Sequence, residues 1–154
     1  MIRRFMQKVE TKKRQVWVEG AIPPTAIAQS IAKHQTQTKI GAHQLFLGQV
    51  RADVVEGKTV SAIEYSAYKE MAEPVLEKIR EGAFTRFDIT CLHIHHSLGT
   101  VEAGGICLFV FVSASHRKAA SEAVHFIVEA IKSKVPIFGK EIFGDQTYQW
   151  KTNK

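Results

Sequence analysis

Residues 113–118 read Ser-Ala-Ser-His-Arg-Lys and directly follow an apolar run, ICLFVFV, at 106–112. One titratable imidazole and two cations thus stand where a strand-like run feeds a helix-like segment. That set suits an anion: arginine forks onto phosphate or carboxylate oxygens, and lysine adds a compact charge. With Ser113 or Ser115 as the N-cap, His116, Arg117 and Lys118 fall in the first helical turn. The helix dipole already places partial positive charge there, so three basic groups are locally unfavourable. A bound anion would relieve the conflict and would also meet the free amides of the turn. Side chains pointing into water would relieve it too, since the dipole then costs only roughly tenths of a kcal/mol. The residues themselves leave both readings open.

Other cations follow. Lys132 and Lys134 fall near the end of the same helical segment, where the dipole favours them as ordinary helix-terminal cations. Lys140 comes just past Pro136-Ile137-Phe138-Gly139 and can return toward a cleft at the helix end. Arg51 ends the strand-like Gly48-Gln49-Val50-Arg51 beside a polar loop and reads locally as surface charge. His93 and His95 share a strand face, as two metal ligands would. A zinc site needs three or four ligands at known spacings, and no such partner pattern is present. They read as strand-surface histidines, and neither a metal nor a cofactor is expected. Cys91 and Cys107 each sit in an apolar run and read as buried, reduced thiols. No phosphate loop, dinucleotide fingerprint, nucleophile elbow or metalloprotease helix occurs.

These residues need elements to hold them. Residues 15–19 alternate like a short strand. Pro23-Pro24-Thr25 opens a helix over 26–34, with Ile27 and Ile31 four apart. A strand covers 41–50, a loop 52–59 and an alternating strand 60–65. The spacing predicts a helix over 69–82 with Met71, Val75 and Ile79 on its stripe; Pro74 falls early enough to be tolerated. A strand over 88–96 precedes a turn at 100–105. The near-continuous apolar strand 106–113 reads as central and covered on both faces. The longest helix covers 119–134, with Ala120, Val124, Ile127 and Ile131 inward. Lys118, Glu122, His125, Glu129 and Lys132 point to water. Residues 138–150 form a hairpin turning at Gly144-Asp145. Helices separating hairpin-like strand pairs indicate an α+β fold with a mostly antiparallel sheet packed with helices.

The chain has 154 residues, 45% hydrophobic and 23% charged, which suits one soluble globular domain spanning 1–154. No stretch is long and apolar enough to span a membrane, and the first residues lack a signal-peptide core, so the expected place is the cytoplasm. The formal charge is +6. Much of it falls in residues 1–14, read as a basic, flexible terminus. A basic chain also suits nucleic acid, a phosphorylated ligand or an acidic protein partner.

Taken together, the pieces resemble the large, catalytic subunit family of molybdopterin synthase. The matching residues are Gly48-Gln49-Val50-Arg51, Glu64-Tyr65 with Met71, His96 and Gly99, Gly104, Ser113-Ala114-Ser115-His116-Arg117, Ala123, Lys132, Pro136, Lys140-Glu141 and Trp150. They come in the family's order, at nearly its spacing, over about residues 15–151. The most specific part is S-x-S-H-R followed by Lys132 and P-x-F-x-K-E.

The resemblance implies an α/β-hammerhead fold with a ferredoxin-like part. It also implies a homodimer that forms the core of a heterotetramer. Each protomer would hold a small ubiquitin-like sulfur-carrier subunit ending in Gly-Gly. The family inserts two sulfurs from the carrier's thiocarboxylate into cyclic pyranopterin monophosphate, forming the molybdopterin dithiolene. The partner supplies the sulfur nucleophile, so none is required on this chain. Neither nucleic acid nor membrane is an implied partner.

By position, Gln49, Val50, Arg51, His116, Arg117, Lys132, Gly139, Lys140 and Glu141 match the family's substrate-contacting segments. Lys132 matches its essential lysine, and Lys140 is the second catalytic candidate. This chain departs from the family in three places. Gly139 stands where a lysine is common, so Lys140 either takes over that role from one position along or the role is weakened. His96-Ser97 lacks the arginine usual after the histidine. The basic residue expected after Trp150 is either Lys151 or Lys154. Two other readings compete: a small basic ferredoxin-like module for RNA or a phosphorylated metabolite, and a non-catalytic scaffold, which Gly139 keeps in play.

Overall fold

The computed structural model describes residues 15–152. The basic cluster of residues 1–14 and Lys154 lie outside the described residues. The first element is a three-residue strand, β1 (Trp17–Glu19), followed by helix α1 (Pro24–His34) with proline in its first turn. Strands β2 (Ala42–Gln49), β3 (Val54–Val55) and β4 (Lys58–Ala67) lead to helix α2 (Lys69–Arg86). Strands β5 (Cys91–Glu102) and β6 (Ile106–Ala114) precede the long helix α3 (Arg117–Lys134). Strands β7 (Ile137–Phe143) and β8 (Tyr148–Trp150) close the described chain.

The eight strands form one sheet in the order β2-β6-β5-β4-β7-β8, with β1 beside β5 and β3 beside β4. All pairings are antiparallel except β1 with β5. This is the mixed α+β arrangement expected. Strand β6 is central, as its apolar run implied. Leu108, Val110, Val112 and Ala114 face the main core under α2 and α3. Phe109 and Phe111 face the other way, beneath Ile22 and Ile27. Period-2 alternation thus feeds both cores from one strand.

Strand β5 changes partners along its length. Residues 91–96 pair with β6, while residues 99–102 pair with β4. The switch falls at Ser97 to Gly99. Gly99 has φ +79, which favours glycine, and a Cβ there would displace the end of the Glu19 side chain. The predicted turn at 100–105 is therefore shorter than the sequence suggested. Residues 100–102 stay in strand because β4 offers them a ladder, and the reversal is confined to 103–105. The polar stretch 52–59 also gains a small hairpin, β3 against β4.

Helix α2 buries Ala72, Leu76, Ile79 and Ala83, while Met71 stays 61% exposed. Ile79 is buried as expected and Val75 is partly buried against the core, but Ala72, Leu76 and Ala83 rather than Met71 complete the buried stripe. Helix α3 behaves as read: Ala120, Val124, Ile127 and Ile131 are buried, joined by Ala123, Val128 and Ala130. Only Val135 and Pro136 link α3 to β7, so the end of the helix is pinned beside that strand. The terminal hairpin turns at Gly144-Asp145, where Asp145 pairs with Lys58 at 3.0 Å and accepts the Thr147 amide.

Candidate functional site

A cavity of about 440 Å³ opens where the last turn of α3 meets β7 and the end of β8. Lys132 enters it from α3, Gly139 from β7, and Trp150 and Lys151 from the far side. Tyr65 and His96 also line it. The short α3-to-β7 link and the β4–β7 ladder, which sets Tyr65 opposite Gly139, bring these distant positions together.

Burial governs the electrostatics. His96 is 3% exposed, and its Nδ1–H donates to the Ser97 carbonyl at 2.7 Å. Its ring meets Tyr65 edge-on at 5.1 Å. Burial pushes its pKa down to about 4; the Ser97 bond opposes this and the Lys132 charge adds to it. His96 is therefore a neutral imidazole at neutral pH. Burial likewise drives the Tyr65 hydroxyl well above its ordinary range, helped by a hydrogen bond with Cys107 and by the Cys107 and Glu141 charges. Tyr65 is a neutral phenol.

Lys132 presents exposed side-chain surface on the helix, yet loss of water around its ammonium lowers its pKa. Cys107 opposes that shift and Lys151 reinforces it. The residue as a whole is exposed, and part of its side chain borders the cavity. An ammonium in such a recess attracts anions far more strongly than one in open water. It can also stabilise oxygen charge developing in a transition state.

The expected site residues do not all converge on this cavity. Lys132 and Gly139 line it. Lys140, adjacent to Gly139, instead places its ammonium 4.5 Å from the Tyr148 ring centroid and 5.6 Å from that of Trp150. Glu141 is buried and accepts the Gln149 side-chain amide at 3.3 Å. Gln49 ends β2 and Val50 packs with Tyr65 and Cys107. Arg51 is 77% exposed and pairs with Asp53 at 3.4 Å.

His116 and Arg117 lie at the opposite end of α3. Fifteen residues separate Arg117 from Lys132 along the helix, about 22 Å at 1.5 Å per residue. The N-cap is His116 itself, in extended backbone and without a side-chain cap bond. Neither expected serine caps the helix: Ser113 is buried in β6, hydrogen-bonded through its Oγ to His43 Nδ1 at 2.7 Å. The helix starts later than a Ser115 cap would set it, and Arg117 and Lys118 remain in a first turn without acidic residues. The electrostatic conflict read from the sequence is thus present in the fold.

His93 and His95 are half-buried, less exposed than the surface reading expected. His93 Nε2 lies 2.9 Å from His34 Nε2, and His95 stacks on Phe109 with centroids 5.9 Å apart. Both belong to the layer under α1. Among the described residues no group of three or more His, Cys, Asp or Glu is arranged to hold a metal. Both cysteines are free thiols; Cys107 is buried, whereas Cys91 is half-buried beside Gln37. Sequence reading gave Tyr65, His96 and Trp150 no role. The alternation of 60–65 puts Tyr65 inward, but nothing local says that the inward face borders a cavity.

A wider groove of about 690 Å³ runs over Phe87 and Phe126 on the outer side of α3. Its ionisable groups are Glu122, His125, Glu129 and Lys134, a set poorly suited to anions.

Comparison with known proteins matches the family described as "MoaE protein" to residues 21–134. Molybdopterin synthase catalytic subunit 1 of Aedes aegypti is 42% identical over 117 residues, covering 74% of this chain and 75% of that protein. The crystal structure of molybdopterin synthase from Staphylococcus aureus superposes with TM-score 0.78 at 30% identity, over 91% of this chain and 98% of that one. A protein–protein complex of subunits 1 and 2 of the molybdopterin-converting factor from Helicobacter pylori contains a chain of TM-score 0.77 at 19% identity, covering 91% of each chain, a likeness of fold alone. The family match takes in α3 with its cations, and the structural match runs on through most of the chain; this chain belongs to the MoaE protein family.

Proposed function

We propose that this chain is the catalytic subunit of a molybdopterin synthase, working as a single cytoplasmic domain. In this reading it passes sulfur from the thiocarboxylated tail of a small ubiquitin-like carrier to cyclic pyranopterin monophosphate. The observation that carries it is the recess at the end of α3, which Lys132 lines and where burial lowers the lysine's pKa. An incoming thiocarboxylate is anionic, and so is the substrate's cyclic phosphate. As the carrier's sulfur forms its new bond to a substrate carbon, a carbon–oxygen bonding pair at that carbon moves onto the oxygen, and Lys132 is placed to balance the charge that results. Aromatic surface stands near the opening, with Phe138 49% and Trp150 58% exposed. Exposed rings of this kind offer apolar contact area, and Trp150 adds an indole N–H donor, which suits a threading peptide tail.

His116, Arg117 and Arg51 are the remaining candidates for holding the phosphate. The ~22 Å between the ends of α3 is too far for one small substrate to bridge within one chain. A homodimer removes the difficulty if the N-terminal end of one α3 approaches the cavity of the partner copy. The rival reading, a module that stacks RNA bases on its sheet, has less support, because Phe109 and Phe111 are buried beneath α1.

Mixing the protein with thiocarboxylated carrier and pyranopterin, then assaying molybdopterin, tests the reading. Absence of product, with Lys132→Ala equal to wild type, would sink it. Mixed dimers test the shared site. Lys132→Ala and Arg117→Ala chains, each impaired alone, should recover about a quarter of wild-type activity on random mixing if each site spans two copies. No recovery would place both groups in one chain's site.

A further inference from the structure

Lys140 and Lys151 both lie near the cavity in sequence, and the strand geometry separates them. Successive residues of a strand point to opposite faces. On β7, Gly139 takes the cavity face beside Tyr65, and a Cβ there would lie 3.4 Å from the Tyr65 ring. Lys140 therefore takes the other face, where the Tyr148 and Trp150 rings hold its ammonium. Lys151 sits across from Gly139: its backbone N–H donates to the Gly139 carbonyl at 2.7 Å, and its Cβ is 3.7 Å from where a Gly139 Cβ would stand. It lines the same cavity as Lys132.

We infer that Lys151, not Lys140, is the second cation of this cavity and acts with Lys132 to hold an anionic group of phosphate or thiocarboxylate type. The two ammonium groups sense each other, since the Lys151 charge contributes to lowering the Lys132 pKa. Such repulsion inside a recess is relieved when an anion binds between the two. The carboxylate nearest along β7, Glu141, is already engaged by Gln149. Lys134 also borders the cavity, but it equally borders the outer groove and so stands on the rim. Gly139 fits the arrangement. A side chain there would press on Ile63 Cγ2 at 3.1 Å and stand in contact with the Lys151 stem, so glycine keeps the strand close to Tyr65 and Lys151.

The inference rests on the proposed function for the identity of the anion but not for the position of the charge, so two assays are paired. In the first, inorganic phosphate is titrated calorimetrically into wild type, Lys151→Ala, Lys151→Arg and Lys140→Ala. Lys151→Ala should weaken phosphate binding about tenfold, the loss of one charge-assisted contact. Lys151→Arg should retain most of the affinity, and Lys140→Ala should lose less than about threefold. In the second, molybdopterin formation should follow the same order, and Gly139→Lys in the Lys151→Ala background should restore activity by returning an ammonium from the opposite strand. Should the Ile63 contact prevent that double variant from folding, the Arg-versus-Ala contrast still decides. Phosphate affinity unchanged in Lys151→Ala, or a greater loss in Lys140→Ala, would overturn the inference. If affinity falls as expected but no variant, wild type included, makes molybdopterin, the proposed function fails while the cation assignment stands.

Discussion

The two ends of α3 are both rich in cations, yet they are built for different tasks. At the N-terminal end His116, Arg117 and Lys118 are exposed, lack a side-chain cap and oppose the helix dipole. At the C-terminal end Lys132, also exposed as a residue, agrees with the dipole, and the two-residue link brings β7 alongside so that Lys132 borders a cavity. One end is an open cationic surface with Lys118 4.0 Å from Glu122, and the other borders a recess. Charge count alone does not make a site: burial beside neighbouring strands lowers the Lys132 pKa, and a charge there acts through a less screening medium than open water.

The contrast breaks most readily at the recess. Lys132→Ala should cost about 10²–10³-fold in kcat/KM, comparable to removing one oxyanion-stabilising donor, with little change in thermal stability. A loss under threefold would put the two ends on an equal footing.

A second measurement compares imidazoles. His116 is exposed at its end of the helix, whereas His96 is buried beside the recess. In the unfolded chain His96 takes a proton near 6.5, but in the fold only near 4. Its effect on stability is therefore absent above pH 6.5. As pH falls from 6.5 to 4 the unfolded chain binds the proton first, and stability drops by up to about 3 kcal/mol before levelling off. Denaturant titrations across that range should show the drop in wild type and a shallower one in His96→Gln; parallel curves would mean that His96 is not what burial holds neutral.

The smallest effect tests the open end. His116 occupies the N-cap without making a cap bond, so His116→Ser should stabilise the fold by about 1 kcal/mol while lowering substrate affinity. Thermal unfolding and KM, measured together, would show the opposed signs. A variant that gains stability and keeps its KM would make His116 a poor cap and nothing more.

Much of the architecture was legible because it depends on local pattern. The strand 106–112 could be read as doubly covered because nearly every residue in it is apolar, and β6 buries both faces. The helix over α3 followed from Ala120, Val124, Ile127 and Ile131 at helical spacing. The failures came where distant partners decide. Residues 100–102 look like a turn until β4 supplies hydrogen bonds. Met71 looks like a core residue until the packed helix buries Ala72, Leu76 and Ala83 instead. His93 and His95 look exposed until His34 of α1 meets His93 and Phe109 stacks on His95, leaving both half-buried.

The sequence by itself determined the α+β class, the central strand, the long cationic helix and the family signature of Arg51, His116, Arg117 and Lys132, since periodicity and motif order are properties of the chain. Only the tertiary structure decided how those cations are divided. It placed Lys132 in a recess with Lys151 and Gly139 and turned Lys140 onto the Tyr148 and Trp150 rings. The physical reason is that strand pairing between distant segments sets which residues share a face and which elements wall a cavity. The ~22 Å between Arg117 and Lys132 follows from helix rise along one segment, but what stands beside each end does not.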